Sequence, residues 1–267
     1  MIQEIFQVDA FADGPFTGNP AAVCVLERAR EESWLQAVAA EMNLSETAFV
    51  RATEEGWSLR WFTPLCEVDL CGHATLASAH ILFETGRLRQ DQPARFSTRS
   101  GALGARRDAD VIELDFPAQP CTPVAVPSGL AEALGARPRW VGRNAADVLV
   151  ELDDAAAVRA LAPDMTALRR VEARGVIVTA RGDDERHDFV SRFFAPRVGV
   201  DEDPVTGSAH TALGPYWAER LGRSELAGYQ ASRRGGAVGV RVRDDRVDLR
   251  GRAITVLRGA IVGAAAE

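Results

Sequence analysis

A fixed internal offset constrains this 267-residue chain more than any other feature. Cys71-Gly72-His73-Ala74 falls on Thr206-Gly207-Ser208-Ala209 when the sequence is displaced by 135 residues, so that Gly72 meets Gly207 and Ala74 meets Ala209. The same displacement carries Ala77 onto Ala212. Further on, Ser97, Arg99, Gly101, Ala102, Gly104, Arg106 and Leu114 land on Ser232, Arg234, Gly236, Ala237, Gly239, Arg241 and Leu249. Upstream, Arg60-Trp61-Phe62-Thr63-Pro64 echoes Arg192-Phe193-Phe194-Ala195-Pro196 at 132, three residues fewer. Chance matches among Ala, Gly and Arg are the competing explanation, but one offset held over about forty residues argues for internal duplication. The expectation is two copies of one fold, spanning 1–118 and 119–267, each opening a helix on a Gly-X-Ala turn.

Composition narrows the function classes. Apolar residues make up 46% and charged residues 26%, ordinary values for a globular chain. No apolar run is long enough for a membrane helix, and the first residues lack the basic start and apolar core of a signal peptide. The expectation is a cytoplasmic protein with no membrane partner. Thirty-one basic residues are scattered through a chain of net charge −7, without the concentrated footprint of a nucleic-acid binder. Cys24, Cys66, Cys71 and Cys121 form no Cys-x-x-Cys pair, and the four histidines show no ligand spacing, so no metal is expected. Gly-rich dinucleotide and triphosphate loops are missing as well, so binding of either has no support in the sequence.

Read in order, strands are expected at 2–8 and 21–26, around the turn-rich Gly14-Pro15-Phe16-Thr17-Gly18-Asn19-Pro20. Ser33 is placed to cap a helix through Met42. Alternating Trp57, Leu59 and Trp61 mark another strand. A helix from Gly72 to about residue 85 stops at Gly86. Prolines 117, 120, 123 and 127 mark a connection. The second half repeats the programme, with a helix over 207–221 that Pro215 is expected to bend or delay. Strands dominate, and the one long late helix in each half suits the inside of a curved sheet. That is an α+β pattern.

Helix starts carry free N–H groups and partial positive charge, and glycine allows close approach to the backbone. Gly72 and Gly207 therefore suit an anionic ligand, although packing glycines would satisfy the same pattern. His73 and Ser208 follow them at equivalent places, as ligand contacts or as local caps. Asp203 lies in the acidic run Asp201-Glu202-Asp203, which reads equally as a solvated loop. Glu46 stands between Leu44 and Phe49 at the mouth of an apolar strand. There a buried carboxylate would be a general acid or base, and an exposed one would be ordinary surface.

Four motifs together resemble one family. They are Asn19-Pro20-Ala21-Ala22-Val23, Asn43-Leu44-Ser45-Glu46-Thr47-Ala48, Cys71-Gly72-His73-Ala74-Thr75 and Asp203-Pro204-Val205-Thr206-Gly207-Ser208-Ala209. In this order, and across essentially the whole chain, they are similar to the PhzF-like phenazine-biosynthesis proteins. The resemblance implies the diaminopimelate epimerase fold: two pseudo-symmetric halves, each a curved, mostly antiparallel sheet around a central helix, with the active site between them. It implies a cofactor-independent isomerase moving a proton on a small carboxylate-bearing metabolite, similar to a trans-2,3-dihydro-3-hydroxyanthranilate isomerase. Glu46 then matches the proton-moving glutamate. His73, Asp203 and Ser208 match residues that bind substrate and assist transfer. Gly72 and Gly207 match the ligand-holding turns, and Asn19 and Ser45 flank the site. A homodimer is implied too. Related racemases use two thiols. Here Cys71 falls on Thr206, so a two-thiol amino-acid epimerase is disfavoured. A ligand-binding protein of the same fold without turnover is the other alternative.

Overall fold

The computed structural model describes residues 2–262; Met1 and residues 263–267 lie outside the described residues. The chain forms two compact units. One takes the described residues up to Asp115 and those from Arg250 onward, and the other is the unbroken stretch Phe116–Leu249.

The first unit begins with β1 (Gln3–Ala10), antiparallel to β2 (Asn19–Leu26). Between them Gly18 sits at φ +68°, where an added Cβ would lie 2.3 Å from the Ala10 carbonyl oxygen, so only glycine fits. The helix α1 (Glu32–Met42) crosses over to β3 (Glu46–Thr53), which runs parallel to β2. Its cap is Glu31 rather than the expected Ser33, and no side chain caps it. The exit at Asn43 is left-handed, φ 48°, as suits asparagine. Next come β4 (Gly56–Phe62), antiparallel to β3, and the short β5 (Glu67–Val68). After them α2 (Gly72–Glu84) leads to β6 (Ala94–Thr98), β7 (Gly101–Asp108) and β8 (Val111–Pro117).

The helix α2 is apolar nearly all round and buried nearly all round, packed on β1, β2 and β3. Its hydroxyls are absorbed by its own backbone: Thr75 Oγ1 donates to the Cys71 carbonyl at 2.5 Å and Ser78 Oγ to that of Ala74 at 2.7 Å. Leu76, Ile81, Leu82 and Phe83 are almost wholly shielded. At roughly 1.5–3 kcal/mol each, they anchor the helix whose first turn carries His73.

The second unit repeats the same order of pairings. After β9 (Thr122–Pro123), α3 (Leu130–Leu134) and β10 (Trp140–Arg143), β11 (Asp147–Glu151) runs parallel to β12 (Gly175–Arg181). The helices α4 (Ala155–Ala160) and α5 (Met165–Leu168) join those two strands. Then β13 (Phe189–Ala195) lies antiparallel to β12 and, past a 3₁₀ turn, pairs with β14 (Val200–Asp203). The acidic run 201–203 is therefore partly a strand, and Glu202 accepts both Nε and Nη2 of Arg192 at 2.7 and 3.0 Å. The helix α6 (Gly207–Leu221) is followed by β15 (Glu225–Gln230), β16 (Gly236–Arg243) and β17 (Arg246–Gly251).

Strand register repeats between the units at 132, the offset of the Arg60 echo, and for β6 and β15 not at the 135 that set Ser97 on Ser232. In the first unit β4 runs parallel to β6 with Trp57 opposite Phe96, and in the second β13 runs parallel to β15 with Phe189 opposite Gly228. Both partners are displaced by the same amount (189 less 57 and 228 less 96 are each 132).

Two expectations need correction. Pro215 does not delay α6, which starts at Gly207 and contains it. It has no N–H to give the Thr211 carbonyl, and the amide of Gln119 occupies that carbonyl at 3.0 Å instead. The final strand, β18 (Ala253–Ile261), was expected with the second half. It belongs to the first unit, where it pairs antiparallel with β1 from Gln3↔Ile261 to Ala10↔Ala253.

Candidate active site

In the first unit four elements converge on His73. Strand β2 supplies Asn19 at its first residue, and β3 supplies Glu46 at its first residue. The parallel register, with Ala21 opposite Glu46, brings these strand starts together. The residue before α2 is Cys71, and His73 is the second residue of that helix. Asn19 Nδ2 lies 3.2 Å from His73 Nδ1. On the other ring nitrogen, Nε2 is 3.1 Å from Glu46 Oε2. This contact is one of charge without hydrogen-bond alignment, so Glu46 Oε2 is a buried carboxylate oxygen with no hydrogen-bond partner. Cys71 Sγ stands 3.5 Å from Nδ1.

Burial opposes the charged form of His73, but the Cys71 sulfur and the Glu46 carboxylate outweigh it, and the imidazole is held well above its ordinary pKa. Glu46 is the partner that does this at neutral pH, because burial and the same carboxylate push the Cys71 thiol up to about 11. The site thus sets an imidazole of raised pKa 3.1 Å from a carboxylate oxygen. Donor atoms of Glu46, Cys71 and His73 all lie within 4.8 Å of one another. Such a set has the ligand types of a zinc site, and a cation bound there would displace the Cys71 proton. Ser45 lies one residue before β3, half-buried, and makes no hydrogen bond to this cluster among the described residues.

In the second unit Asp203, at the end of β14, accepts Thr206 Oγ1 at 2.5 Å. Gln230, fully buried on β15, ties the turn together. Its Nε2 donates to the Asp203 carbonyl at 2.8 Å, and its Oε1 accepts the Thr206 amide at 2.9 Å. With Thr206 Oγ1 turned to Asp203, no side chain caps α6. The amides of Gly207, Ser208 and Ala209 begin the helix with no hydrogen-bond partner among the described residues. Neither Gly72 nor Gly207 has positive φ. Ser208 Oγ accepts Arg174 Nη2 at 2.9 Å, and Arg174 in turn holds buried Asp147.

The sequence reading missed Gln230, Arg174 and Asp147. Asp147 left a trace, a carboxylate directly before the fully buried run Val148-Leu149-Val150. Arg174 and Gln230 left none, since each reaches its partner through tertiary pairing.

A buried helix packed on a mixed sheet, with a carboxylate 3.1 Å from an imidazole at its start, suits an isomerase of the epimerase fold. Known proteins agree. The family model described as phenazine biosynthesis-like protein (PhzC-PhzF) matches residues 8–259, and the chain belongs to that family. It is 51% identical to an uncharacterized isomerase of Halalkalibacterium halodurans, over 98% of this chain and 99% of the relative. A crystal structure of a PhzF-family phenazine biosynthesis protein from Enterococcus faecalis matches with a TM-score of 0.94 at 41% identity, covering 98% of this chain and 99% of that one. The fold extends to a predicted epimerase of Pseudomonas aeruginosa, with a TM-score of 0.74 at 23% identity over 98% and 100% of the two chains.

Proposed function

We propose that the protein is an acid/base isomerase that moves a proton on a small carboxylate-bearing metabolite, with Glu46 as the base. One observation carries this reading: Glu46 Oε2 is buried, 3.1 Å from an imidazole nitrogen, and has no hydrogen bond of its own. Glu46 takes a proton from carbon as the C–H electrons move into the neighbouring π system. The same proton, or one from solvent, returns at another carbon, so atoms balance without a redox partner. His73, 3.1 Å from the carboxylate, stabilises negative charge as it builds. Asp203, Ser208 and the open amides at Gly207 are assigned to binding the substrate in the same reaction, where helix-end N–H groups favour an anion. Asn19 orients His73, and Gly72 leaves room at the first turn of α2. A related name, isomerase, and the shared motifs support the assignment. The enzyme is proposed to act in the cytoplasm as a homodimer. Among the described residues no helix is long and apolar enough to cross a membrane.

The test is turnover of a dihydro-hydroxyanthranilate-type substrate in deuterated water. Glu46→Gln keeps shape but cannot accept a proton, so kcat is expected to fall at least ~10²-fold. Full activity in that variant removes Glu46 from the mechanism. Product carrying neither solvent label nor an internally transferred proton removes the proton shift.

A further inference from the structure

We propose that Arg174 is a substrate-binding residue, which receives the substrate's carboxylate beside Ser208 while Asp147 holds it in place. The inference rests on the isomerase reading for the purpose of the site, and on the second unit alone for its geometry. Asp147, the first residue of β11, is 1% exposed. It takes Arg174 Nε at 2.9 Å and Nη2 at 2.5 Å, a two-pronged clasp that fixes the plane of the guanidinium. The other hydrogen of Nη2 goes to Ser208 Oγ. No described residue accepts from Nη1, and the Arg174 side chain is 43% exposed. A guanidinium clasped on one edge by a buried carboxylate, with Nη1 left to donate, is a prepared anion receptor. Ser208 gains from it too. Its oxygen accepts from Arg174, so its own hydrogen is left to donate to a ligand oxygen.

The duplication gives an independent reason to look here. In the first unit the strand parallel to β2 begins at Glu46, opposite Ala21, and in the second the strand parallel to β11 begins at Gly175, opposite Asp147. Arg174 therefore stands where Ser45 stands, and Ser208 where His73 stands. One unit places a carboxylate against an imidazole at the second helical residue. The other places a guanidinium against a hydroxyl at the same point. The first pair suits moving a proton, and the second suits holding an anion.

Fluorescence titration of the full chain with anthranilate, and with its uncharged analogue 2-aminobenzamide, tests this without turnover. The wild type is expected to prefer anthranilate. Arg174→Met should weaken anthranilate about tenfold or more and leave 2-aminobenzamide unchanged. Arg174→Lys, which keeps charge but loses the fork, should fall between. The double variant Asp147→Asn/Arg174→Met avoids an orphaned buried carboxylate, and it should show the same selective loss if Arg174→Met alone fails to fold. Equal weakening of both ligands would make Arg174 a structural clasp and overturn the proposal. So would unchanged anthranilate binding, or a wild type that binds neither at millimolar concentration. A wild type that shows the ligand selectivity but no proton shift sinks only the isomerase reading, and label incorporation without Arg174-dependent selectivity sinks only this one.

Discussion

Cys71 touches an imidazole, yet its thiol is not poised to react. Burial and the neighbouring carboxylate push it up to about 11, and burial alone takes Cys24 to about 12. Cys121, held by burial and Asp147, also reaches about 12. Cys66 is the exposed thiol. Alkylation of the folded chain near neutral pH, followed by peptide mass mapping, should therefore modify Cys66 and spare the other three. Cys71→Ser should keep most activity, since its counterpart is Thr206; a loss beyond about a hundredfold with the fold intact would revive a thiol mechanism. His73 has the opposite polarity. Its pKa is raised in the folded state, so the stability it contributes is full below its ordinary value and is lost as pH rises through the folded one. Chemical denaturation of wild type and His73→Gln should show the largest difference in acid and convergence in alkali.

At the scale of elements, α6 contains a second buried histidine with a different fate. His210 shares its bond to the Thr206 carbonyl with no acid, and burial lowers its pKa from 6.5 to about 4. The unfolded chain then binds a proton that the folded chain refuses, so stability drains away as pH falls from about 6.5 toward 4. Integrated, that is on the order of 3 kcal/mol. His210→Gln should flatten acid unfolding in that window, and an unchanged acid limb would contradict the assignment. The two central helices were legible because a Gly start, an apolar run and a Gly stop are local signals. Short β14 was hidden in an acidic run, because Glu202 is held by Arg192 from β13 and the sequence does not show that partner. Glu46 was ambiguous for the same reason. Its burial depends on β2, β3 and α2 meeting, and spacing along one strand cannot reveal that. The resemblance to a family supplied what spacing left open.

For the whole molecule, the proposed homodimer is open to sedimentation; a clean monomer at micromolar concentration would refute it. The order of the fold was partly legible in the offset, since the pairings of β4 with β6 recur in β13 with β15. The return of β18 was not, because nothing in residues 253–261 names β1 as its partner. A chain ending at Gly251 strips β1 of one neighbour along its entire length. Proteolysis of that truncated chain should therefore digest residues 2–115 well before 116–249. Equal resistance of the two would mean β18 contributes little.

That returning strand also dictates an order of events during synthesis. The unit Phe116–Leu249 is continuous, so it has every residue it needs before β18 has emerged. The first unit has all but one of its strands earlier, yet must wait with β1 open along one side until β18 is released. What is translated first is completed last. Nascent chains arrested with Leu249 just outside the ribosome and β18 still inside should accordingly show a protected second unit beside a vulnerable first one, and emergence of β18 should protect both.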